Sequence, residues 1–321
     1  MWDVTSRART LLTAAAATAL ALGTAACSTG SSEPDAALDV LASFYPLQFV
    51  AEQVGGPAVS VANLTPPGGE PHNLELSPAT LRTVAKADVV IYQSGFQAAV
   101  DQAVADGSPK ATLDAARFAD LDAHAEHEGE EHDDHADESH DGHDHGGLDP
   151  HFWLDPTLLA GLATEVGETF ATADPDDAAG YRERAAALVA TLAELDDAFT
   201  TGLASCDSRT FVTTHEAFGY LAHRYDLEQI GISGLDPETE PSPARLREVS
   251  KVIEEAGVRT VFSESATTAK VAKVLADDLG IETAVLDPLE SRTDAQLAAD
   301  ADYLAAMTAN LAALKEALGC A

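Results

Sequence analysis

The sequence predicts an α/β protein of two lobes, each a parallel-type sheet flanked by helices, joined by a single long interdomain helix. Three observations predict it. Short apolar runs of strand length alternate with helical patterns in both halves of the chain, which implies parallel sheets covered on both faces. Between the halves, residues 174–205 hold helical spacing at Tyr181, Leu188, Leu192, Leu195, Phe199 and Leu203. At about 1.5 Å per residue such a helix reaches from one lobe to the next. Finally, a chain of 321 residues commonly divides into two domains.

Taken in order, residues 1–26 read as a signal peptide. Arg7 and Arg9 precede an apolar run from Leu11 to Gly23 that is too short for a membrane span. The following "TAAC" and "STGSSEPDA" resemble a bacterial lipobox, with Thr24 where Leu is usual. Cys27 is then the lipidated first mature residue, and 27–37 form a flexible tether. The N-terminal lobe is expected over 38–154, with strands at 38–44, 59–64 and 88–94 and helices at 46–55, 77–87 and 97–106. Ser77 and Pro78 supply a cap and a first-turn proline for the second helix.

A loop at 119–147 interrupts this lobe. It holds seven of the chain's eleven histidines, His124, His127, His132, His135, His140, His143 and His145, among many carboxylates. No strand pattern survives there, and disorder is expected. Interdomain helices follow over 155–204, started by Asp155 with Pro156 and again by Asp174 with Pro175. The C-terminal lobe, 205–321, repeats the alternation. Strands are expected at 209–215, 228–233, 258–265 and 282–289, helices at 216–226, 243–257, 268–280 and 293–318.

The formal charge of −36 repels nucleic acid and attracts cations. Two cysteines remain in the mature chain, Cys206 and Cys320. In an exported protein they are expected to form a disulfide, worth about 4–5 kcal/mol in the chain-entropy model. A paired zinc-thiolate site is the alternative, but neither cysteine stands in a CxxC motif.

In open α/β sheets, ligands bind beyond the carboxyl ends of the strands. His72 follows the strand at 59–64, His151 precedes the interdomain helices, His215 ends the strand at 209–215, and Asp287 ends the last strand. Three imidazoles and a carboxylate suit tetrahedral Zn²⁺. A lone histidine is more often a satisfied core or surface residue, so the weight rests on four strand ends agreeing. His223 reads as structural or solvated. The histidine loop is an accessory, weaker site, because ordering its backbone costs ~1–2 kcal/mol per residue.

The motifs "PHNLELSP", "DPHFWLDP", "TTHEAFGYLAHRYDL" and "VLDPL", in this order around an acidic histidine loop, resemble the zinc-binding, Znu-type solute-binding proteins of metal ABC transporters. The resemblance spans essentially the whole mature chain. It implies a helical-backbone binding-protein fold and metal ligands at His72, His151, His215 and Asp287. Histidine at the third position resembles zinc importers rather than manganese relatives, which usually carry Glu there. In some relatives water fills the fourth position, and Asp287 would then fix a histidine tautomer. "GGEPHNLELSP" departs from the usual Asp-Pro-His loop, which makes Glu70 a flanking or alternative carboxylate. Glu264, also at a strand end, is expected to line the cleft behind the ligands.

The resemblance implies a lipid-anchored receptor on the extracytoplasmic side, at the cell surface or in the periplasm. It would capture Zn²⁺ as transported ligand and deliver it to an inner-membrane permease with its ATPase. A zinc-donating chaperone is a possible further partner, and a monomer is expected. The competing readings are a receptor for manganese or another divalent ion, a zinc-dependent hydrolase, and a zinc-buffering or adhesion protein. The hydrolase lacks an HExxH motif and a clear general base.

Overall fold

The computed structural model describes residues 36–120, 149–264 and 269–321. The expected leader, Cys27, most of the tether and the seven loop histidines lie outside the described residues.

The first sheet contains β1 (Leu38–Ala42), β2 (Val59–Asn63), β3 (Val89–Tyr92) and β4 (Ala111–Asp114), all parallel, in the order β2-β1-β3-β4. α1 (Tyr45–Gly55), α2 (Pro78–Val84) and α3 (Ala98–Gly107) connect them. Val89, Val90 and Ile91 in β3 are wholly buried, as a strand covered by helices on both faces must be. Ser77 caps α2 by accepting the Thr80 N–H, with Pro78 in the first turn. β4 was not expected. It is an edge strand whose sequence, "ATLD", holds one large apolar residue, the buried Leu113, and so shows no apolar run.

Two helices follow, α4 (Pro156–Ala173) and α5 (Ala178–Gly202), joined by a single 3₁₀ turn at Pro175–Asp177. Asp155 caps α4 through the Thr157 N–H at 2.7 Å. α5 has 25 residues, about 38 Å of helix, and touches α1 of the first lobe and the last helix of the second.

The second sheet repeats the first one's order. β5 (Thr210–Thr213), β6 (Glu228–Gly231), β7 (Thr260–Ser263) and β8 (Glu282–Val285) run parallel as β6-β5-β7-β8. α6 (Gly219–Arg224), α7 (Pro243–Ala256) and α8 (Lys270–Leu279) lie between them. The expected helix at 216–226 begins only at Gly219, because the preceding residues form the loop that carries His215. The expected final helix is two, α9 (Asp294–Ala298) and α10 (Tyr303–Leu318). Asp300 adopts a positive φ of 51° between them, and Asp302 caps α10 through the Ala305 N–H.

One apolar core runs through both lobes, holding Phe49 and Trp153, Leu162 and Leu192 of the helix pair, and Phe211 and Tyr303 of the second lobe. The expected disulfide joins Cys206 to Cys320 across 114 residues and ties the end of α10 to the start of the second sheet. Among the described residues no helix is long and apolar enough to cross a membrane.

Candidate metal centre

Both sheets direct the carboxyl ends of their strands towards one site. The loop after β2 carries His72, the segment before α4 carries His151, the loop after β5 carries His215, and the turn after β8 carries Glu290. Donor atoms of these four lie within 4.8 Å of one another. All four side chains are buried, with exposures of 8%, 0%, 1% and 5% in that order. Burying ionisable groups so deeply is costly unless they pair with one another or bind a metal.

Glu290 is the hub. Its Oε1 lies 3.3 Å from His72 Nε2, 3.0 Å from His151 Nε2 and 3.4 Å from His215 Nε2. A tetrahedral zinc ion with bonds of ~2.0–2.1 Å would set its donors roughly 3.3 Å apart, so the carboxylate already stands near coordinating distance from each imidazole. His215 Nε2 forms no hydrogen bond despite full burial. An orphaned, buried ring nitrogen facing a carboxylate is what a cation completes.

The far side of two rings is fixed by acids. His151 Nδ1 donates to Asp149 Oδ1 at 2.7 Å, and His215 Nδ1 donates to Glu264 Oε1 at 2.6 Å. Each bond holds a proton on Nδ1 and turns Nε2 towards Glu290, the arrangement that orients metal-binding histidines. Glu264 thus stands behind His215. Glu70 accepts the backbone N–H of His72 at 2.9 Å. Burial, and next the neighbouring Glu290, push its carboxyl up to about 7.

Electrostatics within the group are those of a cation site filled by protons. Burial opposes charge on His215, but Glu264 and Glu290 outweigh it and raise its pKa to about 10. His151 is raised likewise, with Asp149 and Glu290 overcoming burial. Burial works to raise the Glu290 carboxyl, but the imidazoles around it, His151 foremost, drive it well below the usual range.

Aromatic rings pack around the N-terminal pair. Phe96 meets His72 edge-on at 4.7 Å, and Trp153 meets His151 at 5.1 Å. Trp153 Nε1 donates to the carbonyl of Pro288 at 2.7 Å, while Tyr303 donates to the Trp153 carbonyl at 2.6 Å. The Glu290 turn, although it belongs to the second sheet, is therefore bolted to the first lobe. Gly68 N–H bonding the Arg292 carbonyl adds a further tie.

The structure brings His72, His151 and His215 together but does not bring Asp287 with them; Glu290 takes the fourth place. The Asp287 carboxylate is occupied in building the turn. Its Oδ1 accepts the Leu289 N–H at 2.8 Å, and its Oδ2 accepts from Gln296 Nε2 at 2.5 Å. Burial raises its pKa. Leu289 is held at φ 59°, a left-handed conformation that costs a non-glycine residue energy, and the Asp287 bond supports it. His223 is exposed on α6, outside the group. The loop histidines lie outside the described residues.

A signal for Glu290 was present. In "EPH" and "DPH" an acid two residues ahead accepts the backbone N–H of the histidine. In "DPLE" Asp287 does the same for Leu289. In all three the acid before proline shapes the turn, and the side chain that joins the buried group comes after the proline.

Comparison with known proteins places this geometry in a family. Residues 40–317 match the model of the family described as zinc-uptake complex component A, periplasmic. The zinc-binding lipoprotein AdcA of Streptococcus pneumoniae is 33% identical over 299 residues, covering 92% of this chain and 58% of that protein. The chain thus spans less than two thirds of the AdcA relatives it matches. The high-affinity zinc uptake system protein ZnuA of Bacillus subtilis is 31% identical, with 92% of this chain and 93% of that protein covered. The crystal structure of the Zn(II)-bound ZnuA-like domain of Streptococcus pneumoniae AdcA superposes with a TM-score of 0.72 at 31% identity, covering 88% of this chain and 98% of that one.

Proposed function

The chain belongs to the zinc-uptake complex component A family, and from that premise we propose that it is an extracytoplasmic receptor that captures Zn²⁺ through His72, His151, His215 and Glu290. It hands the ion to a membrane permease driven by an ATPase. The observation that carries this is the buried group of three imidazoles converging on one carboxylate. Two imidazoles come from the first lobe, and one imidazole and the carboxylate from the second, so the bound ion stiffens the junction the permease reads. Zinc is cargo here, held and then released.

The donor set also selects. Three nitrogens and one carboxylate satisfy four-coordinate zinc, whereas Mn²⁺ favours more oxygens and higher coordination. A hydrolase needs an open position for an activated water; here the fourth position is a buried protein carboxylate, which favours storage over turnover. Cys27 anchors the receptor by lipid, and the strongly negative chain draws cations towards it. The loop histidines bind zinc weakly and are not required for capture.

Zinc must displace the protons that His151 and His215 hold in the Glu290 group. Zinc titrations by calorimetry at about pH 7.5, in buffers of different ionisation enthalpy, will show one ion bound per chain with release of at least about one proton. Apparent affinity will rise about tenfold per pH unit for each proton released, while the pH stays below the raised histidine pKa. A variant lacking 121–147 will bind equally tightly. Weak or superstoichiometric binding by that variant, or binding without proton release, contradicts the assignment.

A further inference from the structure

We propose that Gln93 and Gln97 are positioning residues that clamp both N-terminal metal-binding loops, fixing the spacing of His72 and His151. The inference rests on the metal-site reading above and extends it to residues that touch no ion.

His72 and His151 lie in irregular chain with no sheet ladder to hold them. Each follows an acid and a proline, as Glu70-Pro71-His72 and Asp149-Pro150-His151. The N–H side of each Pro–His peptide is held by the acid, at 2.9 Å from Glu70 and 2.8 Å from Asp149. The carbonyl side is held by a glutamine. Gln97 Nε2 donates to the Pro71 carbonyl at 3.1 Å, and Gln93 Nε2 donates to the Pro150 carbonyl at 2.9 Å. Because both acceptors are carbonyl oxygens, the amide orientation of each glutamine is set by chemistry.

The two histidine-bearing peptides are thus gripped on both edges by the same device. Both grips come from one five-residue segment, Gln93 to Gln97, immediately after β3. β3 lies between β1 and β4 in the sheet, so its end can reach loops arriving from either side. Gln97 Nε2 also donates to Thr65 Oγ1 at 3.1 Å, and Thr65 Oγ1 donates to the Ser43 carbonyl at 2.7 Å. That chain of bonds anchors the grip to the ends of β1 and β2. Both glutamines are buried, at 3% and 1% exposure; the same carbonyls also accept the N–H groups of Leu74 and Phe152 from within their own loops, so the glutamines are the bonds that tie those loops to the end of β3.

The test uses the full chain and the variants Gln93→Met, Gln97→Met and the double variant, which keep volume and lose the amide. Zinc affinity is read by chelator competition, and site geometry by the visible absorption of the Co²⁺-loaded protein. Each single variant should weaken zinc by about 10- to 100-fold, the usual range for groups that orient metal ligands. The Co²⁺ band should lose intensity and broaden as the two imidazoles relax from tetrahedral placement. Folded single variants that keep wild-type zinc affinity and Co²⁺ spectrum overturn the proposal, even if their melting temperature falls, since a merely structural role moves only the latter. The single variants decide the matter if the double variant does not fold. Wild-type protein that fails to bind one zinc ion overturns the metal-site reading itself; wild-type binding with unaltered variants overturns the clamp alone.

Discussion

Glu290→Ala will lose zinc affinity by roughly 10²- to 4×10³-fold, while Asp287→Asn will lose less than about tenfold. The first figure follows from removing one partner of a buried charged group, worth about 3–5 kcal/mol, at 1.4 kcal/mol per tenfold. Glu290 Oε1 contacts all three imidazoles, so its removal leaves three buried histidines without their common counter-charge. Asp287 faces Leu289 N–H and Gln296 instead. Asparagine keeps an oxygen for the Leu289 bond, so the turn persists and its cost appears mainly as lost stability. Chelator competition on the two variants side by side separates the roles, and a reversed ranking would make Asp287 the ligand.

Trp153→Ala will destabilise the protein by about 4–6 kcal/mol. Truncating a fully buried tryptophan costs about 3–5 kcal/mol in cavity and transfer energy. Losing its N–H also strands the Pro288 carbonyl, at about 1–3 kcal/mol more, with partial overlap between the two. The ring packs against Phe44 at 4.8 Å and against His151, and its bond to Pro288 fastens the Glu290 turn to the first lobe. Zinc affinity should therefore fall along with stability. Trp153→Phe separates the two contributions: it keeps most of the packing and should cost about 1–3 kcal/mol. Urea denaturation of both variants checks the figures, and equal losses for Ala and Phe would show that the ring's volume contributes nothing.

Much of this architecture was legible because its causes are local. The buried central strands, such as "VVIY" in β3, need apolar residues on both faces and so leave unbroken apolar runs. Ser77 with Pro78 and Asp155 with Pro156 mark helix starts through bonds that span two or three residues. β4 escaped because "ATLD" holds a single large apolar residue, Leu113, whereas the edge strand β2 still shows valine at alternate positions in "VSVAN". The break between α9 and α10 escaped because alanine-rich sequence reads as continuous helix, whereas the break lies in the backbone of Asp300 and the cap at Asp302.

His215 was legible as a residue just past a strand, and His72 and His151 as histidines after an acid and a proline in the loops of a repeated topology. The carboxylate was misplaced onto Asp287, and only the parallel between "DPLE" and the two acid-proline-histidine turns hinted that the residue after the proline faces inward. An acid directly after a strand looks like the better candidate until its oxygens are seen to accept from Leu289 and Gln296. Gln93 and Gln97 were silent for a related reason. Their partners are backbone carbonyls 57 residues from Gln93 and 26 from Gln97, and no side-chain pattern records a backbone acceptor.

Anomalous scattering at the zinc absorption edge, from crystals of the protein grown with one equivalent of zinc, tests the central claim most directly. The structure predicts one strong peak per chain at about 2.0–2.1 Å from a nitrogen of His72, His151 and His215 and about 2.0–2.2 Å from a Glu290 oxygen. A peak coordinated by Asp287, or one lying away from these three histidines, would contradict it.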